Sequence, residues 1–257
     1  MASLAQDKLI IALDVESHQR ALALYEILRD VAGMFKIGSQ LFTAAGPGLV
    51  REIVGADGKV FLDLKFHDIP NTVAAAGIEA ARLGVSIFNV HASGGSEMMR
   101  RTAAAVSEVS EREALMRPKV IAVTVLTSMN EGTLAEIGAA RRPEEQVTRL
   151  SALAATSGMD GVVASPREVA AIRATVARPE FLVVTPGVRP SGGDPGDQRR
   201  TMTPAEAVHA GADYLVIGRP IIAAPDPVHA ARSIIDEIEA LNSPPDRICE
   251  QTGTQAG

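Results

Sequence analysis

Short runs of continuously apolar residues alternate along the chain with segments in which apolar residues recur every three or four positions. Runs of the first kind are typical of strands that are covered on both faces of a sheet, and the longer period is typical of amphipathic helices. Eight runs have the strand pattern, at residues 8–13, 34–37, 60–64, 85–90, 120–126, 161–164, 181–184 and 214–217. Their starts lie on average about 30 residues apart, which is the size of one strand–helix–strand unit.

The intervening segments predict helices that pack on such a sheet. In residues 17–30, Ser17 is a predicted N-cap, and four apolar residues share one helical face: Ala21, Leu22, Tyr25 and Leu28. The same pattern occurs at residues 71–83, 97–113, 143–157 and 166–177. Eight alternations favour an α/β chain folded as one closed (β/α)8 TIM barrel, and a doubly wound open sheet is the structural alternative.

The chain shows no linker that would divide it into two domains. We predict a barrel domain over residues 1–242 and a poorly ordered tail over residues 243–257, where Pro, Gly and polar residues replace the periodic pattern. Residues 189–200 follow the seventh candidate strand and are too polar and turn-rich for a strand or helix. In a barrel they would form a loop on the active face.

Composition narrows the classes of function. The chain has 25 Lys and Arg against 31 Asp and Glu, so its net charge of -6 argues against a broad nucleic-acid surface. Its single cysteine, Cys249, can form neither an internal disulfide nor a thiolate metal cluster. No 18-residue apolar stretch or secretory signal is present, which indicates a cytoplasmic protein without a membrane span.

Charged residues cluster at the predicted ends of the first three strands. These residues are Asp14, Lys36, Asp63, Lys65 and, in the next loop, Asp68. Active sites of barrels lie at this end of the strands, and alternation along a strand points Asp63 and Lys65 to the same side. An array of Lys36, Asp63, Lys65 and Asp68 gives each ion an opposite neighbour. Its lysine could donate a proton to carbon, while a carboxylate could orient that lysine or repel an anionic group.

A second cluster lies late in the chain. The eighth candidate strand runs into Gly218 and Arg219, and the loops after strands seven and eight of barrels often bind phosphate. Gln198, in the preceding loop, could add an amide donor. His67 and His91 lack spaced metal partners, so we expect them to form structural hydrogen bonds and not to bind a metal. We expect three methionines to be packing residues, namely Met98, Met99 and Met116.

Seven motifs in this order resemble the orotidine 5′-phosphate decarboxylase family. They are ALD at residues 12–14, FKIG at 35–38, DLKFHDIPNT at 63–72, LTSM at 126–129, TPGVRP at 185–190, DQRR at 197–200 and IGRP at 217–220. The resemblance implies a barrel that uses no metal or organic cofactor and works as a homodimer. It implies a carboxy-lyase that converts orotidine 5′-phosphate to UMP and CO2 in de novo pyrimidine biosynthesis.

The resemblance also implies roles for individual residues. Lys36, Asp63, Lys65 and Asp68 match the family's catalytic array, with Lys65 as the donor of a proton to C6 of the pyrimidine. Asp68 and Thr72 match residues that the neighbouring subunit contributes. The other predicted substrate-binding residues are Asp14 at the ribose, Ile69 in the same run as Asp68, Thr127 and Ser128 near the pyrimidine, and Arg189, Gln198, Gly218 and Arg219 at the ribose-phosphate end.

Two alternatives remain at this point. One is a different sugar-phosphate decarboxylase or aldolase of the same superfamily, which would usually need a metal and other acidic residues at the strand ends. The other is a noncatalytic nucleotide-binding barrel, for which Gly218 and Arg219 would suffice and the buried charges would be unnecessary. Product formation from orotidine 5′-phosphate distinguishes both from the favoured function.

Overall fold

A closed parallel barrel forms the centre of the protein. The computed structural model describes residues 4–139, 142–190 and 202–240. Its strands are β1 (Leu9–Ala12), β2 (Met34–Gly38), β3 (Val60–Phe66), β4 (Ile87–His91), β5 (Lys119–Val123), β6 (Gly161–Val163), β7 (Leu182–Pro186) and β8 (Tyr214–Ile217). Each strand pairs in parallel with the next, and β8 pairs with β1. The predicted (β/α)8 barrel is therefore confirmed, and the open doubly wound sheet is wrong.

Helices surround the barrel and connect its strands. They are α1 (Leu4–Lys8), α2 (His18–Leu28), α3 (Ser39–Gly55), α4 (Pro70–Arg82), α5 (Gly95–Arg112), α6 (Glu131–Glu136), α7 (Pro143–Thr156), α8 (Val169–Thr175), α9 (Pro204–His209), α10 (Arg219–Ile222) and α11 (Pro227–Ala240). Two 3₁₀ turns precede α5 and α8, at Ala92–Gly94 and Pro166–Glu168. No helix within the described ranges has the length and apolar character needed to cross a membrane.

Helix α2 shows how local sequence sets an element. Ser17 caps it as predicted, because its hydroxyl accepts a hydrogen bond from the Arg20 backbone N–H at 3.3 Å. The buried face carries Ala21, Leu24, Tyr25 and Leu28. Leu22, predicted on that face, is only partly buried, since the helix turns Leu24 inward instead.

Several predicted boundaries are wrong. Strand β5 ends at Val123, not at residue 126, so the chain leaves the sheet three residues earlier. Strand β4 begins at Ile87, two residues later than predicted. Helix α3 has no counterpart in the prediction; Gly46, at φ +67, interrupts its helical backbone just before Pro47, which obscures its period.

Two apolar layers make the core. The inner layer fills the barrel interior with Ile10, Ala12, Met34, Phe61, Ile87, Ile121, Val184 and Val216. The outer layer lies between the strands and the helices and includes Met98 and Met99, both fully buried as predicted. Met116 is 89% exposed, so its predicted packing role is wrong; it lies in the connector before β5, outside both layers.

Two matching ion pairs secure the amino-terminal ends of later strands. Asp160, just before β6, accepts a hydrogen bond from the Val120 N–H at 2.7 Å and contacts Arg117 at 2.9 Å. Asp213, just before β8, accepts from the Val183 N–H at 2.7 Å and pairs with Arg173. Each carboxylate thus ties a strand to the one before it, at the face of the barrel away from the usual active site.

Candidate active site

The carboxyl ends of the strands surround a cavity of about 390 Å³. Three residues of the inner apolar layer, Ala12, Phe61 and Val216, also line this cavity and form its floor. Six charged residues line it as well: Asp14, Lys36, Asp63, Lys65, Arg189 and Arg219. An apolar floor with a few convergent charges is the usual form of a small-molecule site.

Four of these side chains form a continuous chain of opposite charges. Lys36 Nζ lies 3.1 Å from Asp14 Oδ1 and 3.3 Å from Asp63 Oδ2. The other oxygen of Asp63 accepts a hydrogen bond from Lys65 Nζ at 2.6 Å. Lys36 is 8% exposed, so its two carboxylate neighbours supply the stabilisation that water would otherwise give.

The surroundings of Lys36 keep it cationic. Burial by itself would lower the pKa of the Lys36 ammonium, but the charges of Asp63 and Asp14 outweigh burial and raise this pKa above its ordinary value. Lys36 therefore presents a fixed positive charge at neutral pH. Gly38 leaves room for that charge, since a Cβ at this position would lie 3.0 Å from Lys36 Nζ.

A bulge in β3 shapes the backbone around Lys65. Pairing with β4 runs from Leu62 opposite Phe88 to Phe66 opposite Val90, so residues 63–65 face one residue, Asn89. Lys65 has φ +54, which is rare for a residue with a side chain. The predicted proximity of Asp63 and Lys65 is present, and it occurs within this bulge and not on a regular stretch of strand.

Asn89 is a residue of this site that sequence reasoning missed. It is fully buried, its Oδ1 accepts from the Lys65 N–H at 2.7 Å, and its Nδ2 donates to Asp63 Oδ1 at 2.7 Å. The available signal was a single amide within the apolar run VSIFNV. Buried amides need partners, and that need points to a polar network at the end of β4.

The ends of β7 and β8 carry guanidinium groups at the same cavity. Arg219 begins α10 directly after β8, and Arg189 follows β7. Gly218 lets β8 approach β1 closely, because a Cβ there would lie 3.2 Å from Ala12 Cβ and 3.3 Å from Asp14 Oδ2. Guanidinium groups suit a phosphate, which they can bind through forked hydrogen bonds. Gln198 lies outside the described residues.

Comparison with known proteins decides the family. The model of the orotidine 5′-phosphate decarboxylase / HUMPS family matches residues 7–234. The chain belongs to this family. Curated relatives named orotidine 5′-phosphate decarboxylase include those of Moorella thermoacetica, at 58% identity over 92% of this chain and 94% of the relative, and of Geobacter sulfurreducens, at 57% identity over 92% and 98%.

A solved structure supports the same relationship. Orotidine 5′-phosphate decarboxylase from Lactobacillus acidophilus superposes with a TM-score of 0.77 at 36% identity, covering 90% of this chain and 98% of that one. The family likeness thus extends over the whole barrel. It includes the strand ends that carry the charge chain described above.

Four residues predicted from the orotidine 5′-phosphate decarboxylase family do not line the cavity of the single chain. Asp68, Ile69, Thr72 and Ser128 lie outside it, whereas Thr127 lines it. Asp68 lies in the loop after β3, where its carboxylate accepts from the Ile69 N–H at 2.6 Å. The four-membered array within the described chain therefore has Asp14 where the prediction had Asp68.

Two histidines lie beside the charge chain of this family member. The rings of His67 and His91 have centroids 5.3 Å apart, with an angle of 40° between their planes. Burial, His67 and the Lys65 ammonium lower the pKa of His91, so it is neutral at neutral pH. Within the described residues no group of three or more His, Cys, Asp or Glu is arranged to hold a metal ion.

Proposed function

We propose that this enzyme removes CO2 from C6 of orotidine 5′-phosphate and protonates that carbon to give UMP. The observation that carries the proposal is the chain of charges from Asp14 through Lys36 and Asp63 to Lys65, at one cavity with Arg219. Relatives at more than half identity over most of their length bear the corresponding name.

The cavity offers a separate environment for each part of this substrate. Arg219 binds the phosphate, with Arg189 lining the same cavity, at the ends of β7 and β8. Asp14 and Lys36 bind the ribose hydroxyls. Thr127 and its neighbours after β5 lie along the pyrimidine. Phosphate binding is remote from C6, so its binding energy serves to hold the ring against the charge chain.

Lys65 performs the proton transfer. The bond between C6 and the carboxyl carbon breaks, CO2 departs, and the electron pair stays on C6 in an orbital that the ring does not delocalise. The ammonium of Lys65 stabilises that pair electrostatically and then donates its proton, forming the C6–H bond. The resulting amine takes a proton from solvent before the next turnover. No electron-sink cofactor takes part in this sequence.

Asp63 has two roles in the proposal. Its contact with Lys65 at 2.6 Å holds the ammonium in place, and its 13% side-chain exposure keeps water from weakening that contact. The same carboxylate lies beside the position of the departing carboxylate, and their repulsion is relieved as CO2 leaves. Lys36 balances Asp63 from the other side at 3.3 Å.

We infer that the active enzyme is a homodimer in which Asp68 and Thr72, on either side of Ile69, reach the neighbouring subunit's cavity. In their own chain these residues are exposed at the start of α4 and do not line the cavity, and Ile69 is 66% exposed. An exposed isoleucine beside the mouth of a site suits burial by a second subunit. Asp68 would then complete the predicted array of Lys36, Asp63, Lys65 and Asp68 from the neighbouring subunit.

One assay tests the proposal directly. Purified protein, treated with a chelator to remove metals, is given orotidine 5′-phosphate while CO2 and UMP are measured together. We expect equal amounts of the two products. A folded protein that binds UMP but releases no CO2 would instead support the noncatalytic nucleotide-binding barrel, and turnover only after metal addition would support a metal-dependent relative.

A further inference from the structure

We propose that Asn89 is a positioning residue for the decarboxylation, because its amide holds the Lys65 backbone and the Asp63 carboxylate in their reactive arrangement. This inference rests on the proposed function of Lys65 and Asp63. Asn89 is fully buried and does not line the cavity, so its action on substrate passes through these two residues.

The location of Asn89 follows from the register of β4. Ile87 belongs to the inner layer of the barrel, and Asn89, two residues later, points to the same interior one level nearer the mouth. It faces the three bulged residues 63–65 of β3. An amide at this point is therefore the single β4 group opposite the part of β3 that carries Asp63 and Lys65.

The hydrogen bonds define which way the amide points. The Lys65 N–H requires an acceptor, which is Oδ1 of Asn89 at 2.7 Å. The Asp63 carboxylate requires a donor, which is Nδ2 of Asn89 at 2.7 Å. An ionised carboxylate can only accept hydrogen bonds. In the reverse orientation, the Asn89 amide oxygen would therefore face the acceptor oxygens of Asp63. Asn89 therefore carries both a donor and an acceptor that its surroundings use.

The acceptor half of the amide supports an unfavourable backbone. Lys65 has φ +54, a conformation that persists in residues with side chains only where surrounding contacts enforce it. The bulge also removes the regular β4 partner of the Lys65 N–H, and a buried N–H needs another acceptor. Oδ1 of Asn89 meets that need and holds the bulge at Lys65.

The donor half aligns the carboxylate. Asp63 Oδ1 accepts from both Asn89 Nδ2 at 2.7 Å and Lys65 Nζ at 2.6 Å, while Oδ2 faces Lys36 at 3.3 Å. Two hydrogen-bond donors and the Lys36 ammonium, from three strands, fix the plane of this carboxylate. The side chain of Lys65 is 34% exposed, so packing alone does not orient its ammonium. Its position depends on Asp63, which in turn depends on Asn89.

Two substitutions separate the halves of the amide. Asn89→Leu has a similar volume and removes the donor and the acceptor. Asn89→Asp keeps an acceptor for the Lys65 N–H, but it places a second carboxylate next to that of Asp63. The matched control is Thr185→Val, a buried residue of β7 that does not line the cavity and whose hydroxyl has no partner within the described ranges.

We expect Asn89→Leu to lower kcat by roughly a hundredfold, the usual effect of misplacing a reacting group by about 1 Å. UMP affinity should change by less than about threefold, since the Arg219 end is untouched. Thr185→Val should keep kcat within about twofold. All values are taken per folded enzyme, with the folded fraction measured by circular dichroism and UMP titration.

The pH profile of Asn89→Asp gives a signature that a packing role would lack. Its kcat should recover as pH falls, because a proton shared between the introduced carboxyl and Asp63 restores a donor. Other titratable groups face this point, namely Asp14, Lys36, Lys65, His67 and His91. These groups are common to both variants. The ratio of kcat in Asn89→Asp to kcat in Asn89→Leu therefore reports only the effect of protonating the introduced carboxyl group. We expect this ratio to rise roughly tenfold between pH 8 and pH 5.5.

Three results would overturn the proposal: kcat within about threefold of wild type in folded Asn89→Leu, parallel loss of kcat and UMP affinity, or a kcat ratio independent of pH. If Asn89→Leu does not fold, the kcat profile of Asn89→Asp against that of wild type decides instead. Two other results would reject the proposed function itself: wild type that does not convert the substrate, or Lys65→Ala that does convert it. Active wild type, inactive Lys65→Ala and active Asn89 variants would reject only the role of Asn89.

Discussion

The Lys65 ammonium donates a 2.6 Å hydrogen bond to the carboxylate of Asp63, two positions earlier on the same strand. Residues spaced this way on a regular strand point in parallel directions about 6.6 Å apart. Here both residues lie in the bulge of β3, and Lys65 has a positive φ. The proposed reactive pair therefore lies on a distorted stretch of backbone, where Asn89 contacts both of its residues.

Lys65→Ala should abolish most product formation. Removal of the ammonium takes away the proton for C6 and the nearest positive charge, so we expect kcat to fall by at least about 10³-fold. The contacts at the Arg219 end remain, so UMP should still bind with appreciable affinity. Single-turnover assays and calorimetric UMP titration measure the two quantities. Turnover near the wild-type rate would refute the role of Lys65.

Arg219→Ala should impair the phosphorylated substrate selectively. We expect kcat/KM for orotidine 5′-phosphate to fall by about 10²- to 10³-fold, since a charge-assisted contact is lost. Guanidinium ion in solution should restore part of the activity by occupying the vacated position. The control is Arg232→Ala, an exposed residue of α11. Equal weakening of UMP and uridine binding by Arg219→Ala would show that Arg219 does not contact phosphate.

Mixed dimers test whether Asp68 acts across the subunit interface. Asp68→Ala and Lys65→Ala should each be nearly inactive alone. A dimer with one subunit of each kind contains one site with both wild-type residues and one site with both defects. Up to about half of the wild-type activity should therefore return. If mass measurement shows mixed dimers of folded subunits and activity does not return, the two residues belong to one subunit's site.

His91 should make stability depend on pH. Its pKa in the folded protein lies below the ordinary value of 6.5, so below pH 6.5 the unfolded chain binds more protons than the folded one. The free energy of unfolding should fall as pH drops from about 6.5 toward the folded pKa. His91→Gln should remove this component, whereas His229→Gln on the exposed side of α11 should not. Urea midpoints at pH 7.5, 6.5 and 5.5 provide the comparison, and parallel curves for wild type and His91→Gln would contradict it.

Asp160→Ala should lower stability without affecting catalysis. It leaves the Val120 N–H and the Arg117 guanidinium without their carboxylate, which costs about 1–3 kcal/mol. The site lies at the other end of the barrel, so kcat/KM should stay within about twofold of wild type. Asp236→Ala, an exposed change on α11, is the control for denaturant melts. A large fall in kcat/KM would show that the two ends of the barrel are coupled.

The barrel was predictable because its strands are apolar on both faces and its units repeat. The cluster of Asp14, Lys36, Asp63 and Lys65 was predictable because parallel strand ends meet at one rim. The role of Asn89 was not predictable, because it depends on a register shift that the sequence pattern does not show. The end of β5 was also missed, because apolar residues after Val123 line the cavity instead of continuing the strand.

The inner apolar layer determines the side from which substrate enters and products leave. Ala12, Phe61 and Val216 close the cavity from below, with further inner-layer side chains beneath them. A ligand at the described rim therefore has no route through the barrel axis. Orotidine 5′-phosphate arrives, and CO2 and UMP depart, on the same side. Under the proposed mechanism, CO2 released beside Asp63 has to pass the bound nucleotide or follow it out. Any element that narrows this rim slows substrate capture and product escape together.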